Sequence, residues 1–193
     1  MKNLYLLIFF CFTINTAIDA QSKTFVQRLV PHHAKIQFAG GIGYLSGGVG
    51  YQSKNEKLHY DLLYGYVPES KGGIAIHSAT AKLTWMPWSE ETKSKIKFNI
   101  ISTGFLLNYT FGKQYFLFDH PTYPFDFYDF STALYAGVFA GSSVSFKNVG
   151  LYYEWGTTDR EIINFIRNLK TRSFTEIFHL GIGARWNFNR NKD

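Results

Sequence analysis

His77 and Ser78 stand side by side, and a histidine next to a serine is the material for a general base acting on a nucleophile. Adjacent residues on a strand point to opposite faces, however, so in the extended segment that carries them the two side chains diverge. A second grouping is ionic. His59 and Asp61 share one parity of their segment, and Ser78, Thr80, Lys82 and Thr84 share one parity of the next. With a hairpin turning at 69–72, Asp61 faces Thr80 and His59 faces Lys82, and Asp61 also reaches Lys82 diagonally. Glu154, His179 and Arg185 fall on the polar parity of later segments and extend this set. Buried ionic groups of this kind stabilise an interior more often than they catalyse, so the cluster reads as structural and no catalytic residue is assigned.

Metal chemistry has little to stand on. His32 and His33 are adjacent after Pro31, and Asp119 and His120 open an aromatic, acidic loop running to Asp129 with prolines at 121 and 124. Neither group supplies the ligand number or spacing that specifies a metal, and no cofactor is expected. Aromatic faces beside carboxylates could hold a sugar or a cation, but aromatics also crowd the interfacial girdle of a membrane barrel.

Thr158-Asp159-Arg160-Glu161 fits a capping box with Thr158 as N-cap, and Ile162, Ile163, Phe165, Ile166 and Leu169 follow at helical spacing. A short amphipathic helix is expected there, with continuation of the preceding strand as the alternative. Its apolar side could rest on a membrane surface, with Arg167 and Lys170 near lipid phosphates.

The elements that position these residues have period two. Strands are expected at 34–44, 48–53, 58–67, 73–86, 97–112, 130–146, 149–156 and 173–188. The opening is ambiguous: 34–53 reads either as two strands or as one with a register slip at Ser46, Gly47 and Gly48, in which case 115–130 must supply the eighth. The last strand decides the fold class. Phe174, Phe178, Leu180, Ile182, Ala184, Trp186 and Phe188 share one face, while Thr175, His179, Arg185 and Asn187 share the other. A strand apolar on its outer face and polar on its inner face suits a transmembrane β-barrel with lipid outside and a polar interior. The expected fold is all-β: a closed antiparallel up-and-down transmembrane barrel of about eight strands with a short helix in its last extracellular loop. About eight strands leave an interior that side chains can fill.

Residues 1–20 combine Lys2, an apolar run from Leu4 to Phe12 and a small-residue exit at Ala17 to Ala20, and read as a secretory signal peptide. That leaves 21–193 as one barrel domain. The only cysteine, Cys11, lies in the leader, so disulfides contribute nothing to the mature chain. The leader holds one charge of each sign, Lys2 and Asp19, so the net charge of +6 is unchanged by its removal. The basic residues are scattered, which disfavours nucleic acid as a partner. Phosphate-bearing lipid headgroups suit them better. If the amino terminus lies in the periplasm, the long connections 113–129 and 157–172 both face outward.

The closing pattern carried by Gly183, Trp186 and Phe188 resembles the carboxy-terminal signal by which outer-membrane barrels engage their assembly machinery. The tail 189–193 departs from it, since many such proteins stop at the aromatic. As a whole the chain resembles the small, largely uncharacterised outer-membrane β-barrel proteins of Gram-negative bacteria. That resemblance implies an outer-membrane location, lipid and lipopolysaccharide as surroundings, and the barrel-assembly machinery and periplasmic chaperones as partners. Outer-membrane lipid A deacylases, by resemblance, need the histidine and serine two positions apart; Ala79 stands at that position here. A structural or surface-interaction role with a plugged or narrow lumen is therefore expected. A lipid A-modifying enzyme and a soluble exported barrel holding an apolar ligand are the alternatives.

Overall fold

In the computed structural model, which describes residues 30–117, 131–169 and 173–188, eight strands close into one antiparallel barrel in sequence order. They are β1 (His33–Ala39), β2 (Leu45–Gln52), β3 (Leu58–Val67), β4 (Ile76–Glu91), β5 (Ile96–Phe111), β6 (Leu134–Phe146), β7 (Val149–Thr158) and β8 (His179–Asn187). Closure comes from β1 pairing with β8, from His33 opposite Asn187 to Ala39 opposite Gly181. Closure leaves no unpaired sheet edge, so each strand satisfies its backbone groups against two neighbours.

Period-two alternation decides which side chains face inward. On β3, His59, Asp61, Leu63 and Gly65 are buried and Tyr60, Leu62, Tyr64 and Tyr66 are exposed; on β4, Ser78, Thr80, Lys82 and Thr84 are buried between exposed Ala79, Ala81, Leu83 and Trp85. The exterior band is aliphatic in the middle, with Ile36, Leu62, Leu107, Leu151 and Ile182 all exposed. Aromatic side chains gather toward both ends. Tyr44, Tyr66, Phe111 and Phe178 lie near one end and Trp85, Trp88, Phe146 and Trp186 near the other. Among the buried residues, polar and charged side chains outnumber apolar ones.

The opening of the chain is two strands, not one with a slip: β1 and β2 pair antiparallel from His33 opposite Gly50 to Phe38 opposite Leu45. Positive φ occurs at Ala39, the last residue of β1, and at Gly40, Gly41 and Gly43 in the turn that follows. Two successive residues in that region, Gly40 at 79° and Gly41 at 75°, require glycine to avoid steric strain. The turn folds Ile42 into the barrel mouth, where it is fully buried against Leu63, Leu106 and Phe139. Ile42 therefore does not share the outward face of Ile36 and Phe38, although it has their parity.

Several boundaries also differ from expectation: β1 ends at Ala39 and β2 begins at Leu45, with the turn taking the residues between, and β4 begins at Ile76. Strand β4 continues past Met86 to Glu91, with register shifts around Trp85, Trp88 and Ser89. Pro87 sits in that irregularity, where the missing N–H breaks no ladder bond. Strand β6 begins at Leu134. Strand β8 begins at His179, and Phe174–Ile177 form a short 3-10 helix. The physical reason is pairing. Strand β7 ends its ladder with β8 at Gly156 opposite His179, and β1 ends at Ala39 opposite Gly181, so 174–177 have no strand beside them and bond locally instead.

Two helices lie in the connections. Helix α1 (Glu69–Gly72) is a single turn between β3 and β4. Helix α2 (Asp159–Arg167) follows β7, with Thr158 as its N-cap: the Thr158 hydroxyl accepts from the Glu161 backbone N–H at 3.4 Å. Both project from the end of the barrel that also holds the glycine-rich turn. The opposite end is built of short turns at 53–57, 92–95 and 147–148. No helix among the described residues is long and apolar enough to cross a membrane.

Candidate functional site: the polar lumen

The lumen is organised around two carboxylates. Asp61 on β3 accepts from His33 Nε2 at 2.6 Å and from Lys35 Nζ at 2.5 Å, both on β1. Strands β1 and β3 are not neighbours; β2 runs between them, and the residue of β2 opposite both His33 and Asp61 is Gly50. A Cβ at Gly50 would stand 2.2 Å from Asp61 Oδ1 and 2.3 Å from His33 Nε2. The glycine is what lets two side chains meet across an intervening strand.

Glu154 on β7 is the second centre. It takes Lys82 Nζ of β4 at 2.6 Å on each oxygen and Gln37 Nε2 of β1 at 2.8 Å. Lys82 also donates to Gln37 Oε1 at 3.2 Å and lies 4.3 Å from the centroid of the Phe139 ring. Tyr152 Oη donates to Gln37 Oε1 at 3.1 Å, reaching over Gly183, where a Cβ would meet the Tyr152 ring at 2.3 Å. The same device thus appears twice, since Gly183 lies opposite both Gln37 and Tyr152.

Arg185 on β8 has a different environment. Its Nη1 donates to His59 Nδ1 at 3.1 Å and its Nη2 to Ser145 Oγ at 3.3 Å. Accepting at Nδ1 leaves the His59 proton on Nε2, which donates to the Glu56 carbonyl at 3.3 Å. Toward the helix end, Asn108 Nδ2 donates to Thr80 Oγ1 at 2.6 Å, and Ser78 Oγ donates to the Ile42 carbonyl at 3.0 Å.

The sequence-derived cluster is placed as follows. His59, Asp61, Thr80, Lys82, Glu154 and Arg185 are all buried in the lumen, and His179 is half-buried at the helix end. Their pairing differs from expectation: Asp61 lies opposite Lys82 and His59 opposite Thr84, two residues from the assumed register. Helix α1 and the residues after it lengthen the β3–β4 connection to 68–75, which moves the register by an even number and so preserves the faces. Even so, Asp61 bonds to β1 and not to Lys82. His33, Lys35 and Gln37 were the missed members. Their signal was present, because they share the parity opposite Ile36 and Phe38. His33 is thus a lumen residue, while His32 Nδ1 accepts from the Gln52 backbone N–H at 3.2 Å.

His77 is on the outer face near the helix end. Its Nδ1 lies 2.6 Å from Tyr64 Oη, and its ring stacks at a tilt against Tyr66 with centroids 5.1 Å apart. Ser78 points into the lumen, so its hydroxyl and the His77 ring lie on opposite faces of β4. Of the closing pattern, Gly183 is buried, whereas Trp186 and Phe188 are exposed on the outside. The segment 118–130, which includes Asp119 and His120, lies outside the described residues, as do Lys170 and the tail 189–193. Among the described residues no group of three His, Cys, Asp or Glu side chains is placed to hold a metal.

Chemically, the lumen is mostly paired ions and hydrogen-bonded side chains, with Arg185 outside any ion pair among the described residues and its Nε and the Thr84 hydroxyl without a partner there. A cavity of about 20 Å³ lies between Lys35, Thr84, Ser102, Ser143, Glu154 and Arg185. A second, of about 230 Å³, opens at the helix end and is lined by Gly41, Tyr135, Thr158, Arg160, Glu176 and His179. Arg160 caps that mouth, with its guanidinium 4.4 Å from the Tyr135 ring centroid and a bond from its Nη2 to the Thr132 carbonyl.

Comparison with protein-family models, with curated proteins and with solved structures gives no match for this chain.

Proposed function

We propose that this chain is an outer-membrane β-barrel protein whose lumen is plugged by its own side chains and whose role is structural or interactive, exercised through the loops at the helix end. The observation that carries the reading is the inversion of polarity. Phe105, Leu62, Ile36, Trp155 and Leu151 stand at 59–66 % exposure on the outside while Lys35, Asp61, Lys82 and Glu154 are buried inside. In water this would expose a continuous apolar belt far larger than a soluble monomer carries. In a bilayer the belt meets hydrocarbon, and the aromatics near both strand ends sit at headgroup depth.

The Lys82–Glu154 pair spans the interior from β4 to β7, and the Gln37, Tyr152 and Phe139 side chains close around it. Such a lumen supports ion exclusion more than flux. Helix α2 supports an interfacial role, because Ile166 is 60 % exposed and no residue of the helix is buried. Basic residues on the mature chain suit anionic lipid and lipopolysaccharide headgroups, and insertion would be the work of the barrel-assembly machinery with periplasmic chaperones.

The test is a single-cysteine accessibility scan in cells, which the absence of cysteine after residue 11 makes clean. Cysteines at 62, 105 and 151 should resist a membrane-impermeant reagent, and cysteines at 70 and 164 should react from outside the cell. A folded monomer that stays in solution without detergent would defeat the proposal and favour a soluble ligand-binding barrel.

A further inference from the structure

We propose that the barrel lumen binds one small inorganic anion of halide size against Arg185. The charge pattern comes first. Lys35 is neutralised by Asp61, and Lys82 by Glu154, through ion pairs of 2.5 and 2.6 Å. Arg185, only 9 % exposed, is hydrogen-bonded to His59 and Ser145, both neutral, and makes no ion pair among the described residues. Asp61 and Glu56 act on it without an ion pair, and a buried ion with no directly paired counter-charge carries a desolvation penalty that neutral hydrogen bonds only partly offset.

The space beside it fits a counter-ion. The cavity of about 20 Å³ is lined by Arg185, by Lys35 already paired with Asp61, by the hydroxyls of Thr84, Ser102 and Ser143 and by the Glu154 carboxylate, with Met86, Phe139 and Leu151 in the rest of its wall. Glu154 is already engaged by Lys82 and Gln37. Two buried donor groups in the same lining, Arg185 Nε and the Thr84 hydroxyl, have no hydrogen-bond partner among the described residues. Unused donors around a cation are what an anion completes. Gly150, opposite Arg185 on β7, keeps the wall thin: a Cβ there would stand 2.6 Å from Ser145 Oγ. A volume of this size admits one small occupant; a single-atom anion such as chloride or bromide, somewhat larger than water, is the anion class nearest to that size, and a polyatomic anion such as phosphate is too large.

The site belongs to the barrel interior and does not depend on where the barrel resides, so it stands or falls separately from the membrane reading. The experiment has two arms, both on the folded full barrel. The unfolding temperature is followed in sodium chloride, sodium bromide and sodium gluconate at one ionic strength, and crystals grown from bromide are examined for anomalous scattering. We expect a rise in unfolding temperature that saturates with chloride or bromide and is absent in gluconate, together with a bromide peak among Arg185, Lys35 and Thr84. Arg185→Met should lose both signals. Thr84→Val, which keeps shape and removes one donor, should need more halide for half of the rise, and it serves where Arg185→Met does not fold. No peak at that position means water alone and overturns the proposal. So does an unfolding temperature that rises equally in gluconate, or a peak without any saturating rise, which would be binding at crystal concentration only.

Discussion

Lys82 and Glu154 form a 2.6 Å ion pair although they stand on β4 and β7, strands with no hydrogen bond between them. Both side chains are almost wholly shielded from water, at 0 % and 7 % exposure. Removing one partner leaves a bare charge in the lumen, whereas removing both leaves none. Lys82→Met should therefore cost about 3–5 kcal/mol in equilibrium unfolding, and Lys82→Met with Glu154→Gln should recover most of it. A double variant as unstable as the single one would show that packing, and not the charge, is what the lysine supplies.

At Gly50 the prediction is steric. Gly50→Ala puts a methyl where the His33–Asp61 bond runs, so Asp61 must lose His33 or shift away from Lys35. We expect a loss of about 2–4 kcal/mol from a broken buried network. Gly47→Ala on the same strand is the control, because its nearest foreign atom would be the Lys35 carbonyl at 3.9 Å. Equal effects at the two glycines would refute the assignment of Gly50 as a passage for the bond.

The exterior band gives a solvent-sensitive test. Phe105 is 66 % exposed near the middle of β5. In a bilayer, Phe105→Arg should destabilise by about 2–4 kcal/mol, as arginine does near the membrane midplane. On a soluble barrel the same change is a surface substitution within about 0.5 kcal/mol. Unfolding in lipid vesicles separates the two cases.

Helix α2 depends on its cap, since none of its residues is buried. Thr158→Ala should weaken it by about 1 kcal/mol. The readout is amide hydrogen exchange across 161–167, which should speed up while the β5 and β6 amides keep their protection. Unchanged exchange would mean that the mouth contacts, such as Arg160 on Tyr135, hold the helix without the cap.

Parity along a strand is a local property, and for that reason the sequence alone determined the all-β class, a count of about eight strands, and the faces of His59, Asp61, Thr80, Lys82, Glu154 and Arg185, while the division of 34–53 into two strands was decided by the pairing of β1 with β2. The capping box at Thr158 was legible for the same reason, since its donor and acceptor are three residues apart. Which residues touch was not legible. Lys82 meets Glu154, and Asp61 meets His33 and Lys35, only because the sheet closes and carries side chains of non-adjacent strands into one narrow interior. Stagger between strands sets those meetings, and stagger depends on connection geometry such as the single turn of helix α1, which shifted the β3–β4 register by two. In one dimension Gly50 carried no signal of its own, and Gly183 read only as part of the closing pattern with Trp186 and Phe188. Only the tertiary structure makes them gaps through which hydrogen bonds pass.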